Sequence, residues 1–311
     1  MKLAMVFPGQ GSQSVGMLHA YAGLPGVEDV RRTAAAALGA GFLRLLDEGP
    51  AEALGLTVNT QPAMVTAGYA AYQAWQGLGG PKPEVVAGHS LGEYTALVVA
   101  AALDFRDCLP LVRFRARCMQ EAVPAGQGAM AAILNLDDDA VRAACAEAAQ
   151  GEVVQAVNFN APGQVVIAGH KGAVERAMDA CTAKGARRAL LLPVSAPFHC
   201  SLMRPAAERL RGYVADVAMA EPKLQLINNV DVAIETQPAV IKDALVRQAA
   251  APVRWVETIR KMRQMGVTHV VECGPGRALA GMVKRIDGEL QSHALADRAS
   301  LEQALAAVKG A

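Results

Sequence analysis

Leu3-Ala4-Met5-Val6-Phe7 is an unbroken apolar run that closes on Pro8-Gly9-Gln10-Gly11-Ser12-Gln13. That pattern predicts a short buried strand ending in a turn. Ala-rich helical periodicity follows as far as Trp75, with breaks expected at Gly49-Pro50 and at Asn59-Thr60-Gln61-Pro62. Glu84 to Gly88 reads as a second buried strand, Gly92 to Leu103 as a helix, and Arg106 to Glu121 as another, stopped by Pro124 and Gly126. The rhythm then changes. Gly128–Leu134, Val153–Phe159, Gln164–Ala168 and Arg187–Leu192 read as strands, with helices from Asp137 to Gln150 and from Ala173 to Lys184. Their order, β-α-β-β-α-β, is ferredoxin-like. Beyond it the α/β rhythm returns, with strands at Leu224–Ile227 and Thr268–Glu272 and helices over 202–218, 239–248, 255–265, 276–286 and 300–308. This alternation divides the chain into a large α/β domain in two parts, residues 1–125 and 197–311, with a small domain, 126–196, inserted between them.

Composition narrows the class. Of 311 residues 52% are hydrophobic and 19% charged, which excludes a disordered chain. Aromatics are 4%, so the apolar mass is mostly aliphatic, as in helices packed on a sheet. Thirty basic against 29 acidic residues give a net charge of +1, leaving no basic excess for nucleic acid. Cys108, Cys118, Cys145, Cys181, Cys200 and Cys273 show no close-pair metal spacing and read as reduced, buried thiols, which points to the cytoplasm. The apolar stretch after Lys2 ends at Pro8, too soon for a secretory leader. The longest apolar run, Tyr94 to Leu103, is about half a bilayer span.

Gly88-His89-Ser90-Leu91-Gly92 fits G-x-S-x-G, and it lies between a predicted strand and a predicted helix, where a nucleophile elbow belongs. A turn that tight has no room for a Cβ on either flank, and it presents the Ser90 hydroxyl at a helix N-terminus. There the unpaired Leu91 N–H can face an oxyanion. The alternative is an N-cap serine in a Gly-rich turn. A nucleophilic serine needs a base. His89 adjoins Ser90 and must point elsewhere, and His269 starts a buried strand. His199, in Ala196-Pro197-Phe198-His199-Cys200, falls where the small domain rejoins the large one, and domain junctions are places for clefts. An ordinary loop histidine is the other reading. On the 106–121 helix, Arg113 and Arg115 flank the apolar stripe of Leu109, Val112, Ala116 and Met119 equally, so periodicity does not choose between them.

Several segments together carry a resemblance: Pro8–Gln13, Gln61-Pro62-Ala63, Gly88–Tyr94, Arg115–Gln120, Asn158–Gln164, Pro197–Cys200 and Glu272–Gly276. In this order, spread over nearly the whole chain, they resemble the malonyl-CoA:acyl carrier protein transacylase family of bacterial type II fatty acid synthesis. The resemblance implies an α/β fold, an α/β-hydrolase-like large domain with an inserted ferredoxin-like small domain. It also implies ping-pong malonyl transfer to acyl carrier protein, with Ser90 as nucleophile and His199 as base. The oxyanion hole would be the Leu91 and Gln10 backbone N–H groups. Arg115 would hold the malonyl carboxylate through its guanidinium fork, and the Gln248 backbone carbonyl would orient His199. Phe198 before the histidine goes with malonyl in related acyltransferases. One departure stands out: Ala249-Ala250-Ala251 replaces the larger or polar residues expected after Gln248.

The expected partners are malonyl-CoA and holo acyl carrier protein, with no nucleic acid and no membrane, and a monomeric enzyme. No metal or other cofactor is expected, since CoA and phosphopantetheine act as substrates. Three alternatives remain: a serine esterase on the same elbow, a trans-acting malonyltransferase of polyketide synthesis or malonate decarboxylase, and a non-catalytic carrier-docking module. A buried Arg115 discriminates against the esterase, whose acyl pocket needs no cation.

Overall fold

The computed structural model describes residues 1–194 and 196–310. Ser195, inside the predicted insertion, and Ala311, at the end of the predicted second part, lie outside them. Among the described residues the strands are β1 (Leu3–Phe7), β2 (Val85–Gly88), β3 (Gly128–Leu134), β4 (Val154–Ala161), β5 (Gln164–His170), β6 (Arg188–Leu191), β7 (Gln225–Ile227), β8 (His269–Glu272) and β9 (Gln291–Ala294). They form two sheets. One runs β7-β2-β1-β8-β9 with every neighbouring pair parallel. The other runs β4-β5-β3-β6, antiparallel throughout, which is the ferredoxin-like order.

The burial of each sheet follows from its connections. Strands β1 and β2 are buried at every position because helices cover both faces of a parallel sheet. In the antiparallel sheet the faces alternate with period two. Ala131 and Ile133 of β3 pack with Val165 and Ile167 of β5 under that sheet's own helices, Asp138–Ala149 and Lys171–Ala183. Met130, Val166 and Ala168 face the other way, into a cluster with Cys118, Met119, Phe198 and Met203 of the parallel-sheet body. The body clamps the small sheet at a second place: Val253 N–H donates to Val157 O (2.8 Å) and Phe159 N–H to Val253 O (3.0 Å).

Three expectations about local structure change. The helix Thr57–Gly77 runs straight through Asn59–Pro62, and the break falls earlier, at Gly55-Leu56. Pro62 sits in the second turn, where its fixed φ is already helical and the missing N–H costs one bond. The helix from Gly92 ends at Val99 rather than Leu103, because the chain turns at Ala101 with φ 57°. That left-handed position usually carries glycine, so the sequence held no stop signal there. Strand β9 was not foreseen: Gln291-Ser292-His293-Ala294 is a polar edge strand with no apolar run.

Candidate active site

The elbow forms where β2 meets the helix Gly92–Val99, and its geometry explains both glycines. A Cβ on Gly88 would lie 1.8 Å from the Gly92 carbonyl carbon, and one on Gly92 would lie 1.9 Å from Phe7 O. Ser90 between them has φ 52°, a left-handed conformation costly for a residue with a side chain. Asn229, just past β7, pins the turn: its Oδ1 accepts from Ser90 N–H (2.7 Å) and its Nδ2 donates to Gly88 O (2.6 Å). The N-cap of the following helix is Leu91, with no side-chain cap, so Ser90 does not act as a capping serine.

Ser90 Oγ lies 2.6 Å from His199 Nε2, and His199 Nδ1 lies 3.0 Å from Gln248 O. A carbonyl only accepts, so Nδ1 carries the ring proton. Burial first, then the nearby Arg115 charge, hold the imidazole's pKa down at about 3, against the opposing pull of the Gln248 carbonyl. The ring is therefore neutral at pH 7, Nε2 is a free lone pair, and the Ser90 hydroxyl donates to it. The other histidines are engaged elsewhere. His89 Nε2 pairs with Asn160 Oδ1 (2.8 Å) and its ring meets Trp255 edge-on. His170 accepts from Val153 N–H, and His269 pairs with Thr268.

Arg115 resolves the ambiguity that periodicity left. It is 1% exposed and points at the serine, whereas Arg113 lies over the Phe42 ring. Its Nη1 donates to Gln61 Oε1 (3.0 Å), and its Nη2 to Gln248 Oε1 (2.9 Å) and Ser90 Oγ (3.2 Å). The guanidinium faces the Tyr94 ring at 5.4 Å, and its Nε is buried with no partner among the described residues. No described carboxylate bonds it directly. Burial lowers its pKa from the ordinary value, but an arginine stays charged. The site thus holds a desolvated cation with donors unused beside a serine hydroxyl, an arrangement suited to a carboxylate.

Gln10 and the elbow are in contact range through the loop after β1: a Cβ on Gly9 would meet His89 O at 2.9 Å. The Gln10 side chain is fixed by Gln61 Nε2 (3.1 Å) and by a 3.4 Å contact to Thr57 Oγ1. The backbone N–H groups of Gln10 and Leu91 bond no other protein group among the described residues. A cleft of about 130 Å³ lies over these groups, walled by Met119, Met130, Val166 and Phe198. It shares Gln10, Leu192 and Val194 with a wider groove of about 600 Å³ that also touches Gly11 and Thr57. Among the described residues no group of three His, Cys, Asp or Glu side chains is placed to hold a metal ion.

The structure thus brings Ser90, His199, Arg115 and Gln10 to one cleft, with Leu91 buried next to Ser90 and Gln248 buried behind it, bonded to Arg115, His199 and Ser90. Reading the residues alone missed how they are tied together. Gln61, Glu93 and Asn229 have direct bonds in the network, and the Gln248 side chain joins it as well as its carbonyl. Gln61 and Glu93 lie within segments that carried the resemblance. Asn229 follows a strand of the parallel sheet at its carboxyl end, where such sheets place their sites.

Residues 4–297 match the acyl transferase domain family. The malonyl CoA-acyl carrier protein transacylase of Escherichia coli (strain K12) is 53% identical over 305 residues, 98% of this chain and 99% of that one. A solved acyl-carrier-protein S-malonyltransferase from Burkholderia pseudomallei 1710b is 61% identical, with a TM-score of 0.96 over 98% of this chain and 100% of its own. A malonyl-transacylase solved in complex with its type II PKS acyl-carrier protein also superposes, at 49% identity and TM-score 0.96, covering 99% of this chain and 100% of that one.

Proposed function

The chain belongs to the acyl transferase domain family, and on that premise we propose that Ser90, His199 and Arg115 perform its chemistry in the cleft between the two sheets. The enzyme is an acyltransferase that moves malonyl from malonyl-CoA to acyl carrier protein for fatty acid synthesis. Ser90 Oγ attacks the thioester carbonyl and its proton passes to His199 Nε2, 2.6 Å away. The oxyanion is received by the unpaired Leu91 and Gln10 N–H groups. Collapse expels the CoA thiolate, which takes the proton from His199, leaving a malonyl-serine ester. In the second half the phosphopantetheine thiol gives its proton to His199 and attacks the ester. Ser90 then leaves and recovers the proton.

The observation that carries this reading is the buried Arg115 with its Nη2 3.2 Å from Ser90 Oγ. A serine esterase for neutral acyl groups gains nothing from a desolvated guanidinium there, whereas a malonyl carboxylate supplies a directly bonded anion that no described side chain provides. The wider groove past Gln10 and Val194 suits the extended pantetheine arm of both substrates. Thioester exchange balances on these side chains alone, so no cofactor is included. We expect a monomeric enzyme, the cleft being assembled within a single chain. Six free, buried cysteines fit the cytoplasm, and no helix among the described residues is long and apolar enough to cross a membrane.

The direct test is transfer of labelled malonyl from CoA to a carrier protein, with acetyl- and methylmalonyl-CoA competing and a polyketide-type carrier as second acceptor. Expected are a malonyl mass adduct on Ser90 and label on the carrier thiol. Slow hydrolysis of neutral esters, with no adduct and no carrier labelling, would overturn the assignment.

A further inference from the structure

Glu93, on the first turn of the helix Gly92–Val99, is 1% exposed and takes no step in the transfer chemistry. A single oxygen, Oε2, accepts from Gln248 Nε2 (2.8 Å) and from Asn229 N–H (3.0 Å). The same Gln248 side-chain amide accepts from Arg115 Nη2 at its oxygen (2.9 Å) and donates to Ser90 O (3.0 Å), while the backbone carbonyl of that residue holds His199. One amide thus stands between a buried cation and a buried acid. Among the described residues Arg115 pairs with no carboxylate directly, and leaving such a charge uncompensated in the interior is costly. When a malonyl group arrives, its own carboxylate compensates Arg115, and a buried Glu93 anion becomes surplus charge beside it.

We propose that Glu93 is the resident counter-charge of Arg115, a positioning residue that holds the guanidinium through the Gln248 amide and yields that role to the malonyl carboxylate by taking up a proton. The proposal rests on the carboxylate-clamp reading of Arg115 given above.

The charged and titratable neighbours leave Glu93 as the group that responds near neutrality. Arg115, on the helix Phe105–Glu121, stays a cation. His199 on the return loop and His89 on the elbow are held neutral, chiefly by burial. Burial keeps Tyr94 protonated. Asp231, in the loop after β7, is held ionised by Arg247. Burial raises Glu93 to about 7, against the bonds from Gln248 and Asn229 and the Arg115 charge. A bound carboxylate raises it further. The malonyl complex therefore holds more protons than the empty site, so binding is strongest below about pH 7 and weakens as pH rises through the window above it. Acetyl-CoA, without a carboxylate, lacks this dependence.

Glu93→Gln keeps the shape and an oxygen that can accept both bonds, and removes only the charge. Binding of malonyl-CoA and acetyl-CoA is measured by titration calorimetry in two buffers of different ionisation heat. The proteins are Ser90→Ala, to stop turnover, and Ser90→Ala/Glu93→Gln. In the single variant, malonyl-CoA should bind roughly five- to tenfold more weakly at about pH 9 than at about pH 6.5, with net proton uptake near neutrality, and acetyl-CoA should show neither. In the double variant malonyl-CoA should bind tightly at both pH values without proton uptake. A malonyl preference that is flat with pH and takes up no proton in the single variant overturns the proposal, and that arm needs no change at position 93. A slope that persists in the double variant overturns it too, placing the proton elsewhere. Absence of any malonyl preference at any pH instead removes the Arg115 clamp on which it rests.

Discussion

The two sheets bound one cleft but contribute to it in opposite ways. Among the described residues, the buried polar side chains that surround Ser90 come from the parallel-sheet body: Gln61, Glu93, Arg115, Asn229 and Gln248, with His199 on the loop where the chain returns to it. The antiparallel unit supplies one buried polar side chain, Asn160, and lines the cleft with Asn158 and a mainly apolar wall: Met130, Val166 and, just past β6, Leu192. The body has strands buried on both faces and fixes its loops by several bonds each. The antiparallel sheet instead covers one face with its own helices and offers the other, largely apolar, to the body. On this comparison the body fixes the polar groups around Ser90 by several hydrogen bonds each, and the small sheet shapes most of the wall against them.

The comparison breaks most sharply at the dyad. Ser90→Ala or His199→Ala should lower malonyl transfer by roughly 10⁴-fold or more, and the double variant should be no slower than the worse single one, because the two act as a unit. Measured on purified protein with a labelled carrier, additive losses would mean that His199 does not serve Ser90. Val166→Ala on the small sheet is the control and should stay within about tenfold of the parent for malonyl.

Arg115→Ala comes next. Truncating a buried charged group that binds its substrate partner costs about 2–5 kcal/mol, so malonyl kcat/KM should fall roughly 30- to 5,000-fold. Acetyl transfer should survive or rise, since the vacated space no longer demands a carboxylate. An equal loss for both thioesters would show that Arg115 supports the fold around Gln61 and Gln248 and does not select the acyl group.

How much of this the chain disclosed depends on where each signal lives. The Gly88–Gly92 turn was legible because its glycines answer a local steric demand, and the β-α-β-β-α-β unit because its alternation is local too. Arg115 was not separable from Arg113, since both flank the same stripe and only the tertiary position of the helix decides which faces the serine. Glu93 and Asn229 are joined across 136 positions of sequence by a bond that no local pattern announces. The resemblance implies only the Gln248 carbonyl, whereas its side chain is the bridge between Arg115 and Glu93. The Ala249-Ala250-Ala251 departure is absorbed simply: successive turn bonds from Ala249, Ala250 and Ala251 N–H back to Val246, Arg247 and Gln248 O hold the segment without larger side chains.

Size selection should move with the wall. Val166 lines the cleft from the small sheet. One methyl-sized volume in an apolar pocket is worth about 1–3 kcal/mol, so Val166→Ala should narrow the preference for malonyl- over methylmalonyl-CoA by roughly 10-fold or somewhat more. Competition between the two thioesters reads this directly, and an unchanged ratio would remove Val166 from the specificity wall.

The smallest effect on rate is expected where the two regions touch through a polar pair. His89 Nε2 and Asn160 Oδ1, 2.8 Å apart, are the side-chain hydrogen bond between the elbow and the small sheet among the described residues. His89 is half-buried at the cleft and held neutral, chiefly by desolvation, so removing Asn160 leaves its ring nitrogen without that protein partner. That costs about 1–3 kcal/mol of stability. Ser90 itself remains fixed by Asn229, His199 and Gln248, all on the body side. Asn160→Ala should therefore lower the midpoint of thermal unfolding while changing malonyl transfer by only a few-fold. If transfer instead falls as far as it does for Arg115→Ala at unchanged stability, the small sheet positions the nucleophile as well as walling it, and the division of labour between the two sheets is wrong.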